Sequence, residues 1–175
     1  MVEQGATIVL GSFQLGDQIV SALAKHRITG LAGVPTIWAI LTKAAPALQK
    51  TPLPHLRYIT NSGGAVPEAT VRRLRELLPT TQVVLMYGLT EAFRSTYLPP
   101  DQVDLRPDSI GKAIPNAEIL VLREDGTECA PEEPGELVHR GALVGQGYWN
   151  DAEKTAERYK LLPAGIAGRH AGQML

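Results

Sequence analysis

The chain has 175 residues, of which 44% are hydrophobic and 20% are charged, a composition typical of a globular protein with one domain or two small subdomains. Its 17 basic and 18 acidic residues nearly balance, so no net field favours nucleic acid or an anionic membrane, and no apolar run reaches the ~20 residues of a membrane-spanning helix. Cys129 is the only cysteine, which excludes an internal disulfide and indicates a reducing, cytoplasmic location.

The first hundred residues alternate short apolar runs with helical patterns. Helices are predicted over about residues 17–26, from Pro35 to near Pro46, and from Pro67 to Pro79. Strands are predicted for four apolar runs at residues 6–10, 30–34, 56–60 and 82–87. This alternation predicts an α/β subdomain over residues 1–100, with a parallel sheet flanked by helices.

A basic run lies on the third of these helices. It consists of Arg72, Arg73 and Arg75. We interpret it as a solvated helix face rather than a nucleic-acid site, because short charge runs at helical spacing usually face water.

The chain after Pro100 is rich in turn residues and predicts a small β-rich subdomain over residues 101–160. Strands are expected at 117–122 and 135–140, on either side of a turn at 124–126. A final helix is expected to begin with Asn150 as its cap. Residues 161–175 show no periodicity, and we expect them to be disordered.

Two glycine-bearing segments directly follow predicted strands. The sequence NSGGA (61–65) follows the third strand, and YGLTE (87–91) follows the fourth. Ligands of parallel sheets collect beyond the carboxyl ends of the strands. An aromatic ring, a glycine, a hydroxyl and a carboxylate in one loop can stack a purine, contact a phosphate and hold Mg²⁺. The alternative is that both segments are ordinary turns, with the tyrosine in the core and the threonine as a helix cap.

The two segments together resemble the adenylate-forming superfamily, which includes acyl-CoA synthetases and luciferases. The resemblance covers about residues 5–160, and the wording around YGLTEAFRSTY (87–97) is most similar to the exosortase-associated AMP-forming acyl-CoA ligases. The fold implied is part of the large N-terminal domain of these enzymes. The matching positions are Ser62, Gly63, Gly64 and Ala65; Tyr87, Gly88, Thr90 and Glu91; Gly111 and Lys112; Gly135, Glu136 and Leu137; Gly141; Gly147 and Tyr148; and Thr155.

The resemblance implies a role for each segment. Tyr87 and Gly88 would hold adenine, Thr90 would contact the α-phosphate, and Glu91 would coordinate Mg²⁺. The main chain of Gly63, Gly64 and Ala65 would line the adenine and acyl pocket. An apolar wall near the acid would consist of Val34, Pro35 and Trp38, although for Trp38 plain core packing is the alternative.

The implied reaction has two halves. A carboxylic acid attacks the α-phosphorus of ATP to give an acyl adenylate and pyrophosphate, and a thiol of CoA or of a carrier protein then displaces AMP. Fixed donors and Mg²⁺ supply most of the stabilisation in such reactions. No nucleophilic serine or cysteine is required.

Three parts of the family pattern are missing from the sequence. The lysine-bearing phosphate loop is expected before residue 1, the ribose-binding aspartate is expected after Lys160, and the C-terminal domain with its lysine is absent. We therefore expect an enzyme fragment that is inactive alone and associates through exposed sheet. The alternatives are a non-catalytic module that binds an adenine nucleotide or a protein, and an unrelated α/β domain.

Overall fold

The computed structural model describes residues 5–161 and the backbone of residues 173–174. The chain divides into two compact units, and the boundary falls within one strand. The first unit contains the chain up to Val84 together with Pro100–Asp108. The second contains Leu85–Pro99 and the chain from Ser109 onward.

The first unit packs helices beside parallel strands. Gly30 to Gly33 of the first strand pair in register with Tyr58 to Asn61 of the second. The elements are α1 (Gly16–Lys25), β1 (Gly30–Gly33), α2 (Pro35–Lys43), α3 (Ala45–Lys50), β2 (Tyr58–Asn61), α4 (Glu68–Leu77) and the start of β3 (Gln82–Tyr87). The predicted α/β class is confirmed.

Helix α4 shows how its sequence determines its faces. Val71 and Leu74 are buried on one side. On the other side the three arginines form exposed ion pairs, Arg72 with Glu68, Arg73 with Glu76 and Arg75 with Asp104. Exposed pairs of this kind contribute at most about 1 kcal/mol each. The prediction of a solvated basic face is confirmed.

One predicted strand of this unit was wrong, and one short helix was not predicted. Residues 6–10 form no strand, and Leu10 is 91% exposed. The apolar run pairs with no strand among the described residues, and a strand needs a partner for its backbone groups. Helix α2 ends at Lys43, near Pro46 as predicted, and Pro46 lies in the first turn of the additional short helix α3, where its missing N–H costs nothing.

The second unit is mainly antiparallel. It contains the end of β3, β4 (Thr96–Leu98), β5 (Lys112–Ala113), β6 (Ala117–Leu122), β7 (Glu136–Gly141), α5 (Ala152–Arg158), β8 (Lys160–Leu161) and β9 (Gln173–Met174). The strand order of the main sheet is β1-β2-β3-β4-β5, with antiparallel pairing from β3 to β5. The predicted hairpin is confirmed as the β6–β7 pair, in which Ala117 lies opposite Gly141.

The ends of the second unit differ from the sequence prediction. The cap of α5 is Asp151, not Asn150, because the Asp151 carboxylate accepts a 3.0 Å hydrogen bond from the backbone of Lys154. Asn150 instead has a left-handed backbone with φ 52°. The predicted disorder of residues 161–175 falls largely on residues 162–172 and 175, which lie outside the described residues. The described backbone pairs β8 antiparallel with β9.

No helix in the described part of the chain has both the length and the apolar character needed to cross a membrane.

Candidate active site

The loop after β2 is fixed to helix α2 through Asn61. This side chain is 5% exposed. Its Oδ1 accepts a 2.7 Å hydrogen bond from Trp38 Nε1, and its Nδ2 donates a 2.8 Å hydrogen bond to the carbonyl of Gly64. The side-chain oxygen of Asn61 is bound by Trp38 and its side-chain nitrogen by Gly64, so these two hydrogen bonds define the conformation of the loop.

Two glycines of this loop lie against the start of α2. Gly63 and Gly64 have φ values of 83° and 153°, which side chains rarely adopt. A Cβ at Gly63 would lie 3.3 Å from Val34, and a Cβ at Gly64 would lie 3.3 Å from Pro35. The predicted acid wall and the predicted glycine loop are therefore neighbours within the first unit.

The remaining predicted residues of this unit differ in exposure. Val34 is 44% exposed, and Ala65 is exposed as well. Trp38 is 1% exposed and lies so close to Gly33 that an added Cβ there would be 2.7 Å from its ring. Trp38 therefore packs in the core of the first unit, and its role as an acid wall stays a prediction.

The loop after β3, in the second unit, doubles back at Gly88. Leu89 N donates a 3.0 Å hydrogen bond to the carbonyl of Ala92. A Cβ at Gly88 would lie 2.3 Å from the backbone nitrogen of Arg94 and 3.0 Å from the Ala92 carbonyl oxygen. The close approach of these two backbone segments requires glycine at this position.

Glu91 is the carboxylate of this loop and is held from two sides. Its Oε1 accepts a 2.5 Å hydrogen bond from the hydroxyl of Tyr148, and its carbonyl accepts a 2.7 Å hydrogen bond from Gly145 N. The hydrogen bond from Tyr148 is the main cause that lowers the pKa of Glu91, and it raises the pKa of Tyr148. Thr90, directly before it, is exposed. Glu91 is therefore ionised at neutral pH, with a fixed orientation.

Tyr87 lies against a buried histidine at the start of the same loop. Its ring centroid is 5.6 Å from that of His139, with the planes inclined by 33°. His139 Nδ1 lies 2.7 Å from Ser95 Oγ. Ser95 Oγ also lies 3.0 Å from the Ala92 carbonyl, and a proton on His139 Nδ1 lets the hydroxyl accept from the ring while it donates to that carbonyl. Burial is the main cause that lowers the pKa of His139, and the charge of Arg158 adds to it.

The residues around Glu91 are compatible with one kind of magnesium site. The described residues contain no group of three or more His, Cys, Asp or Glu side chains that could hold a metal ion. Glu91 stands as a single ionised carboxylate with one oxygen bound by Tyr148. Mg²⁺ is commonly held by one or two carboxylates together with substrate phosphates. Glu91 therefore fits a metal shared with a nucleotide, not a site built from protein alone.

Sequence reasoning missed four residues that organise these loops. They are Asn61, Ser95, His139 and Tyr148. Tyr148 matched a family position but received no role, and Asn61 was read only as part of a turn. Ser95 and His139 are 44 residues apart, and a single sequence contains no signal for that pairing.

Comparison with known proteins agrees with the motifs. The chain matches the family described as AMP-binding enzyme over residues 1–149. It is 36% identical over 142 residues to acyl-CoA synthetase 7 of Caenorhabditis elegans, covering 81% of this chain and 26% of that protein. It is 32% identical over 154 residues to indoleacetate–CoA ligase of Aromatoleum aromaticum, covering 87% and 29%. The chain thus spans about a quarter of the length of the curated relatives it matches.

Solved structures show the same relationship. VinN in complex with L-aspartate has a TM-score of 0.73 and 36% identity, covering 90% of this chain and 40% of that one. The amide bond synthetase McbA from Marinactinospora thermotolerans has a TM-score of 0.79 and 25% identity, covering 94% and 32%. With the family match extending over most of its residues, this chain belongs to the AMP-binding enzyme family and is similar to acyl-CoA ligases.

Proposed function

We propose that the chain forms part of an acyl-CoA ligase that activates a carboxylic acid with ATP. The acid displaces pyrophosphate from ATP to give an acyl adenylate, and a thiol then displaces AMP to give a thioester. The names of the curated relatives support this reaction class. The structural observation that carries the proposal is the oriented, ionised carboxylate of Glu91 in the loop that also presents Tyr87.

The nucleotide contacts are assigned to the second unit. Tyr87 stacks on adenine, Thr90 donates its hydroxyl to the α-phosphate, and Glu91 turns a carboxylate oxygen toward the phosphates. Mg²⁺, when bound by Glu91 and the phosphates, neutralises negative charge on the phosphate oxygens. Tyr148 holds Glu91 in place before the nucleotide binds, so little reorganisation is needed at that moment.

The acid contacts are assigned to the first unit. Val34 and Pro35 provide apolar surface, and the main chain of Gly63, Gly64 and Ala65 allows close approach of a ligand. Of the relatives described above, one is an indoleacetate–CoA ligase and another was solved with L-aspartate, and both of these molecules are small carboxylic acids. We extend the proposal to a small acid as substrate and to CoA or a carrier-protein thiol as acceptor.

We also propose a cellular location for the protein and a tendency to self-associate. We place it in the cytoplasm, where its single cysteine would stay reduced.

We further propose that the protein self-associates, because the adjacent residues Ile8, Val9 and Leu10 are 55%, 40% and 91% exposed. Analytical ultracentrifugation over a concentration series tests this, and Leu10→Asp should shift the distribution toward monomer.

Nucleotide binding is tested by saturation-transfer NMR with ATP and Mg²⁺ on the whole chain. We expect transfer from protein protons to the adenine protons of ATP. Tyr87→Ala should weaken ATP binding by about tenfold or more, since stacking a base on an aromatic ring contributes ~1–3 kcal/mol. Tyr58→Phe, a conservative change in β2, serves as the control and should leave the transfer unchanged. Equal transfer in wild type and Tyr87→Ala would reject the assignment of Tyr87.

A further inference from the structure

Arg94 combines two unusual features in the loop between β3 and β4. Its backbone is left-handed, with φ 51°, a conformation that costs about 1 kcal/mol or more for a residue other than glycine. Its Nε is shielded from solvent and has no hydrogen-bond partner among the described residues. Strained residues and unsatisfied buried donors are both uncommon, and they concentrate at functional sites.

The charge of Arg94 is not neutralised by its neighbours in the described part of the chain. Glu91, three residues earlier, is bound by Tyr148 instead. By contrast, the buried Arg140 pairs with Glu118, whereas the half-buried Arg94 has its Nε shielded without a partner. A guanidinium is permanently charged, and shielding one without an anionic partner is costly. The arrangement therefore leaves a place for an anion.

Phe93 restricts how an anion can reach this guanidinium. The carbon Cζ of Arg94 lies over the Phe93 ring, 5.0 Å from its centroid, so the ring occupies part of the space around the guanidinium. The donors of a guanidinium lie along its edge, where a carboxylate or phosphate can accept two parallel hydrogen bonds. Edge-on binding of this kind avoids the side of the guanidinium that the Phe93 ring occupies.

We propose that Arg94 binds an oxyanion of a ligand, which is either a second carboxylate on the acid substrate or a phosphate of the nucleotide. This inference rests on the proposed function, because it assumes that the loop of residues 87–94 faces substrates. It makes Arg94 a specificity residue: a second carboxylate would select acids that carry a negative charge away from the reacting carboxyl group.

The test uses the ¹H–¹⁵N resonance of Arg94 Nε in the whole chain, assigned by its loss in Arg94→Lys. Four probes are titrated in two matched pairs, succinate against butyrate and AMP against adenosine. A saturable shift with succinate but not butyrate identifies a second carboxylate. A shift with AMP but not adenosine identifies a phosphate. Shifts in both pairs support an oxyanion site that accepts either source.

Variants separate binding from folding. Arg94→Asn removes the charge but tolerates the left-handed backbone, and it should weaken binding of the active probe by about tenfold or more. Arg94→Lys keeps the charge but lacks the two parallel N–H donors of a guanidinium, so it should retain only part of the affinity. Arg106→Gln, an exposed arginine in the first unit, is the control and should bind like wild type.

Three outcomes would overturn the proposal: no shift of Arg94 Nε with any probe, equal shifts within both pairs, or equal affinity in wild type and Arg94→Asn. The ring resonances of Tyr87, followed with adenosine, report on the proposed adenine site separately. A response of Tyr87 without one at Arg94 rejects this inference and leaves the proposed function intact. A response at Arg94 without one at Tyr87 supports the oxyanion site and rejects the assignment of Tyr87 to adenine.

Discussion

The hydroxyl of Tyr148 and the carboxylate of Glu91 are 2.5 Å apart, although 57 residues separate them in the chain. Tyr148 belongs to the segment before α5, and Glu91 to the loop after β3. The backbone joins the same two segments, through Gly145 N and the Glu91 carbonyl. The orientation of the candidate metal-binding carboxylate therefore depends on a remote part of the second unit.

Tyr148→Phe should raise the pKa of Glu91 toward its usual value of 4.5, because the ionised carboxylate loses its main donor. Since the folded-state pKa is lowered, the contribution of this pair to stability is complete above pH 4.5 and is lost as the pH falls through the folded-state pKa. A ¹³C NMR titration of the Glu91 carboxyl group measures the shift. Tyr97→Phe is the control, and identical Glu91 curves in wild type and Tyr148→Phe would contradict the prediction.

Stability of the second unit should also depend on the protonation of His139. Burial lowers its pKa below the usual 6.5, so the unfolded chain binds this proton more readily than the folded chain. The contribution of neutral His139 to stability is therefore complete above pH 6.5 and decreases as the pH falls toward the folded-state pKa. Urea unfolding at a series of pH values measures this slope. His139→Phe should reduce the slope, whereas His55→Gln should keep it; a slope unchanged in His139→Phe would refute the assignment.

Asn61→Ala should destabilise the first unit by about 1–3 kcal/mol, because Trp38 Nε1 and the Gly64 carbonyl both lose their partners. A Trp149→Phe background leaves Trp38 as the only tryptophan, and Trp149 is 92% exposed, so that change should be nearly neutral. Trp38 fluorescence during urea unfolding then gives the free energy directly. A loss below about 0.5 kcal/mol would show that water replaces both hydrogen bonds.

Gly88→Ala should disrupt the loop of residues 87–94, since its Cβ would lie 2.3 Å from the backbone nitrogen of Arg94. Backbone cannot move aside as a flexible side chain can, so we expect a cost of about 2 kcal/mol or more in the free energy of unfolding. Gly145→Ala is the matched control. Its Cβ would lie 3.1 Å from a side-chain oxygen of Tyr159 and 3.3 Å from the Glu91 carbonyl oxygen, distances well above 2.3 Å, so its cost should be clearly smaller. Equal costs for the two variants would argue against the backbone crowding at Gly88.

Local patterns in the sequence predicted much of the fold. The strands at 82–87 and 117–122 were predicted with their observed bounds, because each is an apolar run between turn residues. The run at 6–10 has the same character but forms no strand, since pairing depends on a neighbour that local sequence does not specify. At α5, the predicted cap Asn150 is one residue too early, because the left-handed backbone of Asn150 leaves Asp151 as the cap.

Only those residues of the candidate site that lie within sequence motifs could be predicted; their distant partners could not. Glu91 was found because it closes the YGLTE segment, but its partner Tyr148 lies 57 residues away. The same holds for Ser95 and His139, whose contact depends on how β7 lies beside the loop after β3. Pairings of this kind arise from tertiary packing, so periodicity and spacing carry no information about them.

The hydrogen bond from Gly145 to the Glu91 carbonyl makes one amide proton a reporter of the whole loop. Gly145 lies outside every helix and strand, and its N–H is protected by this 2.7 Å bond to a residue of another segment. An amide exchanges with solvent deuterium only when its hydrogen bond opens. The exchange lifetime of Gly145 therefore measures how often the segment that orients Glu91 separates from it, in the unmodified chain and without any added ligand.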